Sequence, residues 1–417
     1  MLFFPRESFP TDRVRLATLF GRELLGRGHE IDFVMQAGDA QAIVGRQYWF
    51  GRTVRVGPTD TRPSALGKAR RVGLGLWHDL RCLLDARPDQ YDSILVSDKY
   101  VLAAIACVVA RRRGMVFFFW MTYPYHQAQL TLARERLTRT RAIAWLRGHM
   151  TTLLLFKWIL PRSHHVFVQS QRMARDFAES GVPINRMTPI VTGIDLEGVP
   201  VETRPRASRT RDRLTVGYLG TLVRQRRLDM LVDMLDELRR RGVIARLLLI
   251  GDGATPEDRL CIEQRARDLK LESQVEITGF LTRRAALELI QTADVCVSPF
   301  RPCPVLEVAS PTKLVEYLAL GLPVVANTHP DQSDILEQTR AGVCVPWGAR
   351  HFARGVHWLS KRNDAELAAM ASRGRAWVAR NRSYSSIADT FERSCHDTLA
   401  EVHPTEANPK TSAPRSS

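Results

Sequence analysis

The chain has 417 residues, of which 45% are hydrophobic and 25% charged, with a formal net charge of +16. This balance excludes a disordered or collagen-like chain and provides for two domains of about 200 residues, each with its own core. No apolar run reaches the roughly 18–20 residues of a membrane-spanning helix, and the seven cysteines lack Cys-x2-Cys spacing, so reduced and mostly buried thiols are expected rather than a zinc site or disulfide frame.

The excess of positive charge calls for an anionic partner: nucleic acid, an acidic membrane surface or a phosphorylated substrate. No RRM, KH or zinc-finger signature is present, which argues against nucleic acid. Residues 1–5 (Met-Leu-Phe-Phe-Pro) are too short for the apolar core of a leader peptide and read as a first core strand. A cytoplasmic protein is expected.

Residues 2–5 are followed by a helix to about Arg27, in which Val14, Ala17, Leu24 and Leu25 repeat at helical spacing, and then by a strand over 31–35. This βαβ unit implies parallel strands. The loop after the first strand carries Arg6, Glu7 and Asp12 at the edge where α/β folds bind ligands; each also reads as an ordinary surface charge. Residues 40–70 suggest short strands and a loop, and 72–86 a helix. A strand over 93–98 ends in Asp98 at the same edge, an apolar helix covers 101–110, and 116–121 is a central aromatic strand. His126 follows it, either facing substrate or capping a helix.

Residues 130–160 combine Arg134, Arg136, Arg139, Arg141 and Arg147 with Ile143, Trp145, Leu146 and the apolar run 153–160. The pattern suits an interfacial helix whose arginines meet lipid phosphates, and equally a core helix with a solvated basic face. A strand over 165–170, a helix over 171–179 and a short strand with Gly-x-Asp over 190–195 close the first half. Residues 199–213, rich in Pro and Arg, read as a linker.

The second half opens with a strand over 214–220, then Gly220-Thr221, the cationic loop Arg224-Gln225-Arg226-Arg227, and a helix with Leu228, Leu231, Leu235 and Leu238 on one face. Strands over 246–250 and 274–278 run into Gly251-Asp252-Gly253 and Gly279-Phe280-Leu281. After a strand ending near Pro299, three prolines keep the chain irregular until Ser310-Pro311, which reads as a helix start with Ser as N-cap and Pro at N1. Gly321 and Pro323 stop that helix before a buried apolar strand. Free N–H groups at Thr312, Lys313 and Leu314, with the Lys313 charge, make its start an anion site. Glu316, one turn on, is placed to accept hydrogen bonds from sugar hydroxyls. Phosphate at the tip with hydroxyls one turn down matches a nucleotide-sugar, although Lys313 and Glu316 alone also read as a solvated i,i+3 pair. A last strand over 341–345, helices, and a polar 401–417 tail expected to be disordered complete the chain.

The run Ser310-Pro-Thr-Lys-Leu-Val-Glu-Tyr-Leu-Ala-Leu-Gly-Leu-Pro-Val-Val-Ala resembles the donor-site signature of the family 4 retaining glycosyltransferases, Glu-x7-Glu before Ala-x-Gly-x-Pro-Val-Val-Ala. The resemblance implies the GT-B architecture: two Rossmann-like α/β domains with parallel sheets facing across a cleft, the donor bound there. It sets an acceptor-binding domain at 1–199, a linker at 200–213, a nucleotide-sugar domain at 214–383 and a helix at 384–400 that crosses back. It gives Glu316 the ribose of the nucleotide, and Arg226 the diphosphate where relatives carry Lys. Gly220, Thr221, Gly251, Gly253, Gly279, Phe280, Ser310, Pro311, Thr312 and Leu314 would line the donor, with Arg226, Lys313 and His126 nearest the chemistry and Arg6, Glu7 and Asp98 on the acceptor side. Two departures stand out: Val308 occupies the place of the first Glu, and Thr221 that of an Arg.

The implied function is retaining transfer of a sugar from a UDP- or GDP-sugar to a saccharide or lipid-linked saccharide, in surface polysaccharide or glycolipid synthesis, without cofactor or metal and without nucleic acid. An anionic membrane at the inner face of the cytoplasmic membrane is a further expected partner. The alternatives are a sugar-nucleotide 2-epimerase of related fold and a non-catalytic anion- or membrane-binding protein of this fold.

Overall fold

The computed structural model describes residues 1–404 apart from Asp12, Ala40, Arg136, Leu137, Arg139 and 200–212. The 200–212 part of the expected linker, tail residues 405–417, and the charges of Asp12, Arg136 and Arg139 therefore lie outside the described residues. Two compact units are present: Met1–Val191 with Ile387–Ser417, and Thr192–Ser386.

The first unit is built on β1 (Leu2–Phe4), β2 (Ser8–Phe9), β3 (Asp32–Ala37), β4 (Gly45–Trp49), β5 (Arg52–Gly57), β6 (Ser93–Ser97), β7 (Val116–Met121), β8 (His165–Val168) and β9 (Met187–Pro189). They form one sheet in the order β4-β5-β3-β1-β6-β7-β8-β9, with β2 beside β3, and only the β4–β5 pair is antiparallel. From β5 to β8 the order is that of a doubly wound fold, with its reversal between β1 and β6. The parallel strands are apolar because helices cover both faces; all six residues of β7 are buried.

Phe391 on the last helix, Tyr384–Val402, stacks on Phe167 with centroids 4.5 Å apart and meets Phe20 edge-on at 5.4 Å. That helix is a core element of the first unit, and losing the Phe391 ring would cost about 3–5 kcal/mol. It runs two residues past the expected end, so 401–402 are helical rather than tail.

The second unit contains β10 (Leu214–Leu219), β11 (Ala245–Ile250), β12 (Val275–Ile277), β13 (Val295–Ser298), β14 (Val324–Asn327) and β15 (Gly342–Val345), all parallel, in the order β12-β11-β10-β13-β14-β15. This is again the doubly wound order, with its switch point between β10 and β13. Helix Asp229–Arg240 buries Leu231, Leu235 and Leu238 on one face.

Four local expectations are corrected. The helix expected from 72 begins at Ala65, because the Ser64 hydroxyl caps it by accepting from Gly67 N–H at 3.0 Å. The strand expected over 190–195 lies at Met187–Pro189, and residues 192–195 belong to the second unit, where Ile194 bridges Ser383. Pro304–Glu307 is a short helix, since proline at its first turn forfeits no hydrogen bond. Ser310 is not a side-chain cap: the helix is Thr312–Ala319, its cap position is Pro311, and the Ser310 hydroxyl is already engaged by Thr192 N–H at 3.1 Å and Arg382 at 3.2 Å.

Candidate donor and acceptor sites

The second unit's switch point brings the loop after β10 against the start of the Thr312–Ala319 helix. Gly220 takes φ +138°, open to glycine at little strain, and its missing side chain leaves room for two cations. A Cβ there would lie 3.0 Å from Lys313 Nζ and 3.5 Å from Arg226 Nη1. Arg226 donates to Tyr218 Oη at 3.1 Å and Thr221 O at 3.2 Å, and Lys313 Nζ stands 5.4 Å from the Tyr218 ring centre. Lys313 is partly exposed, yet its ammonium is deep enough that desolvation, with Arg226 beside it and only partial compensation from Glu316, holds its pKa well below the usual lysine value. Two cations held this close without an intervening anion form a site that gains from taking one up.

At the helix tip, Thr312 N–H is not free as expected, because it donates to Ser310 O at 2.9 Å. The N–H groups of Lys313 and Leu314 find no acceptor among the described residues. Gly321 takes φ +69° and closes the far end with Gly321 N–H on Leu318 O and Leu322 N–H on Tyr317 O, as a Schellman motif. Glu316 is 6% exposed, and its Oε1 accepts from Arg283 Nη1 at 2.7 Å. Arg283 opens the helix after Gly279 and Phe280, and Phe280 is an exposed ring.

The glycine turns are packed together. A Cβ on Gly251 would strike Gly220 O at 2.3 Å, and Gly251 also bridges Gly279. Gly253 lies against Asp258, whose carboxylate accepts from Arg224, Ala254 and Thr255 N–H and so ties the cationic loop to the turn after β11. The 299–311 loop has its own anchors. Buried Asn327 accepts from Phe300 N–H at 2.7 Å and donates to Phe300 O at 2.8 Å, and His329 Nε2 contacts Leu306 O at 2.8 Å. Val308, at the place of the first signature Glu, is 2% exposed.

Sequence reasoning missed Arg283, Asp258, Asn327, His329 and Arg382. Two carried a local signal: Asn327, a polar residue ending an apolar strand run, and Asp258, three residues after Thr255 in a capping box with Pro256 at its start.

In the first unit the loops after β1 and β6 hold Arg6, Glu7 and Asp98. Arg6 lies over the Tyr125 ring at 3.8 Å, Glu7 Oε1 accepts from Arg15 at 2.8 Å, and Glu7 Oε2 is buried with no partner among the described residues. Asp98 is 3% exposed at φ +54°. Its carboxylate accepts from Thr122 N–H at 3.1 Å and pairs with the Thr122 hydroxyl, and burial pushes its pKa up to about 6 against those hydrogen bonds. His126 corrects its expected substrate-facing position: it is 3% exposed, its ring meets Phe156 edge-on at 5.9 Å, and burial lowers its pKa to about 4. It is a neutral core histidine.

Helix Arg141–Leu154 packs inward through Ala144 and Gly148, the latter so close that a Cβ would meet Leu130 at 2.6 Å. Its other positions leave Ile143, Trp145, Leu146, Met150 and Leu153 each more than half exposed, beside exposed Arg141 and Arg147. Among the described residues the apolar side of this helix is left uncovered, whereas the run that follows buries Leu155, Ile159 and Leu160 as the core alternative expects.

Two doubly wound units of this kind define the GT-B class of glycosyltransferase fold. HepE of Anabaena, solved in complex with UDP, superposes with a TM-score of 0.65 at 16% identity, over 95% of this chain and 99% of that one. Sucrose-phosphate synthase from Thermosynechococcus elongatus gives 0.70 at 15% identity, over 96% and 100%. At such identities the likeness is one of fold. Residues 14–197 match the model of Glycosyltransferase Family 4, and residues 213–362 match that of Glycosyl transferases group 1. WcaL of Escherichia coli (strain K12), provisionally named a colanic acid biosynthesis glycosyltransferase, is 28% identical over 171 residues, 40% of each chain. EpsF of Bacillus subtilis (strain 168), provisionally named a glycosyltransferase, is 31% identical over 175 residues, 40% of this chain and 41% of its own. The chain thus matches about two-fifths of the length of these curated relatives.

Proposed function

We propose that this protein transfers a sugar, with retention of configuration, from a nucleoside-diphosphate donor to a saccharide or lipid-linked saccharide acceptor in surface polysaccharide or glycolipid synthesis. The observation that carries the reading is the convergence of Lys313 and Arg226 over Gly220, beside the free N–H groups that open the Thr312–Ala319 helix. When the bond from the sugar to the diphosphate breaks, negative charge grows on the departing β-phosphate. Preorganised cations and helix N–H groups stabilise that charge without reorganising. Glu316 would hold the ribose through Oε2 while Arg283 keeps Oε1, and the Phe280 ring offers an apolar face to the base. The acceptor hydroxyl attacks on the face the phosphate leaves and passes its proton to the phosphate. No protein nucleophile and no metal are required.

The names of EpsF and WcaL, and the UDP bound to HepE, support a sugar nucleotide and a polysaccharide setting. The exposed Ile143, Trp145, Leu146, Met150 and Leu153 with their flanking arginines support docking on the anionic inner face of the cytoplasmic membrane, where a lipid-linked acceptor resides.

The test is a thermal-shift screen of UDP, GDP and ADP with their sugars. One or more diphosphates should raise the melting temperature of the wild type, and Arg226→Ala with Lys313→Ala should abolish the rise. An unchanged rise in the double variant would put the diphosphate elsewhere.

A further inference from the structure

The chain carries a second cluster of ligating groups, in the first unit and separate from the donor residues. His29, Glu392 and His396 each offer a ligand atom, and these atoms all lie within 4.8 Å of one another. More than 360 residues of sequence separate His29 from Glu392, so spacing alone could not reveal the group. Gly28, at φ +90°, ends the first helix and turns His29 toward the last one. His29 N–H donates to Leu24 O at 3.2 Å, which fixes the turn. Glu392 and His396 are four residues apart on the Tyr384–Val402 helix, so they share a face. His29 Nε2 stands 2.8 Å from Glu392 Oε1. The other carboxylate oxygen, Oε2, accepts from Arg27 at 3.0 Å, and Arg27 also bonds Asp389 at 2.6 Å.

We propose that His29, Glu392 and His396 form a binding site for a divalent transition metal, Zn2+ or its surrogate Co2+, that staples the last helix to the turn after the first. Two imidazoles and one carboxylate suit zinc, with a water completing a tetrahedron, and do not suit Mg2+. Ligands at about 2.0–2.2 Å in a tetrahedron lie roughly 3.3 Å from one another. The His29–Glu392 contact then opens by about half an ångström and the His396 ring turns inward; both are side-chain rotations. Arg27 bonds Oε2 and so orients Oε1 toward the metal, as outer-shell partners of ligating carboxylates do, while Asp389 offsets its charge. A metal bound by the folded chain alone raises its stability. The inference stands independently of the donor site.

The test uses the full chain, free of any affinity tag and stripped with EDTA. Titrated Co2+ should give the visible absorption of tetrahedral cobalt, which Zn2+ displaces and Mg2+ does not produce. Zn2+ should raise the unfolding midpoint by several degrees. His29→Ala and His396→Ala should each weaken Co2+ binding at least tenfold and erase the thermal rise. Because His396 is exposed, His396→Gln serves if His29→Ala does not fold, with far-UV circular dichroism as the control. Absence of the visible band, sulfur-to-cobalt charge transfer marking a cysteine site, or wild-type affinity in the His396 variant would overturn the proposal.

Discussion

Arg283 Nη1 donates to Glu316 Oε1 at 2.7 Å, so the carboxylate we propose for the ribose is held from the side by the protein itself. The pair is lopsided: the Glu316 side chain is 8% exposed and that of Arg283 43%. Arg283→Ala should destabilise the second unit by about 1–2 kcal/mol, less than a fully buried pair because the arginine is half in water. Glu316→Ala removes hydrogen bonds to a charged acceptor, worth about 1.5–3 kcal/mol, so affinity for the nucleoside diphosphate should fall roughly ten- to hundredfold. Isothermal titration of both variants checks this, and an Arg283→Ala variant that loses more affinity than Glu316→Ala would reverse the roles.

Lys313 is held below its ordinary pKa by burial and by Arg226. A diphosphate arriving between them raises the Lys313 pKa again, so binding takes up a proton at any pH between the depressed value and the raised one. Affinity should therefore be strongest at low pH and weaken as pH rises through the window from the depressed pKa to the restored one, by at most about tenfold per pH unit. Titration calorimetry in buffers of different ionisation enthalpy counts the proton. In Lys313→Met the uptake should vanish along with most of the affinity.

Asp98 titrates near 6 instead of near 4, mainly through desolvation. A carboxyl with a raised folded pKa binds more protons folded than unfolded, so its contribution to stability declines as pH rises from about 4 to about 6 and stays low above that. Asp98→Asn removes the penalty and tolerates the positive φ. The variant should gain up to about 2–3 kcal/mol at neutral pH and show a flatter stability profile between pH 4 and 6, measured by urea unfolding. A loss of stability at neutral pH would mean the Thr122 hydrogen bonds outweigh desolvation.

Most of the fold was legible because buried parallel strands announce themselves: the runs at 116–121, 247–250 and 323–326 are apolar on both faces, and Gly or Pro marks their ends. The start of the Thr312–Ala319 helix was legible in place but not in its capping. Ser310 has the right chemistry for a cap, yet Thr192 and Arg382, distant in sequence, take its hydroxyl. His126 was misplaced because a lone histidine after a strand carries no sign of which way its ring turns. The partners of Glu316 and of Phe300 are 33 and 27 residues away, beyond any helical or strand period.

Asn327 illustrates that hidden layer. It is fully buried and satisfies both backbone groups of Phe300. Asn327→Ala would orphan that pair at a cost of about 2–3 kcal/mol and loosen the 299–311 loop. The expected readouts are a lower denaturation midpoint and several-fold weaker diphosphate binding, with Asn327→Asp intermediate because it keeps the acceptor. Wild-type stability in Asn327→Ala would show that the loop holds itself.

The contact between Gly220 and Gly251 carries a lesson for anyone re-tooling the donor preference. The floor of the proposed donor site is specified by atoms that are missing: a side chain on Gly251 would push its turn off Gly220, and one on Gly220 would displace the Lys313 ammonium. Neither glycine can therefore be exchanged, even for alanine, without disturbing the site. Room for change lies on the rim instead, where Phe280 and Leu281 face solvent. A library directed at those two positions should alter which base is accepted while leaving the diphosphate grip intact.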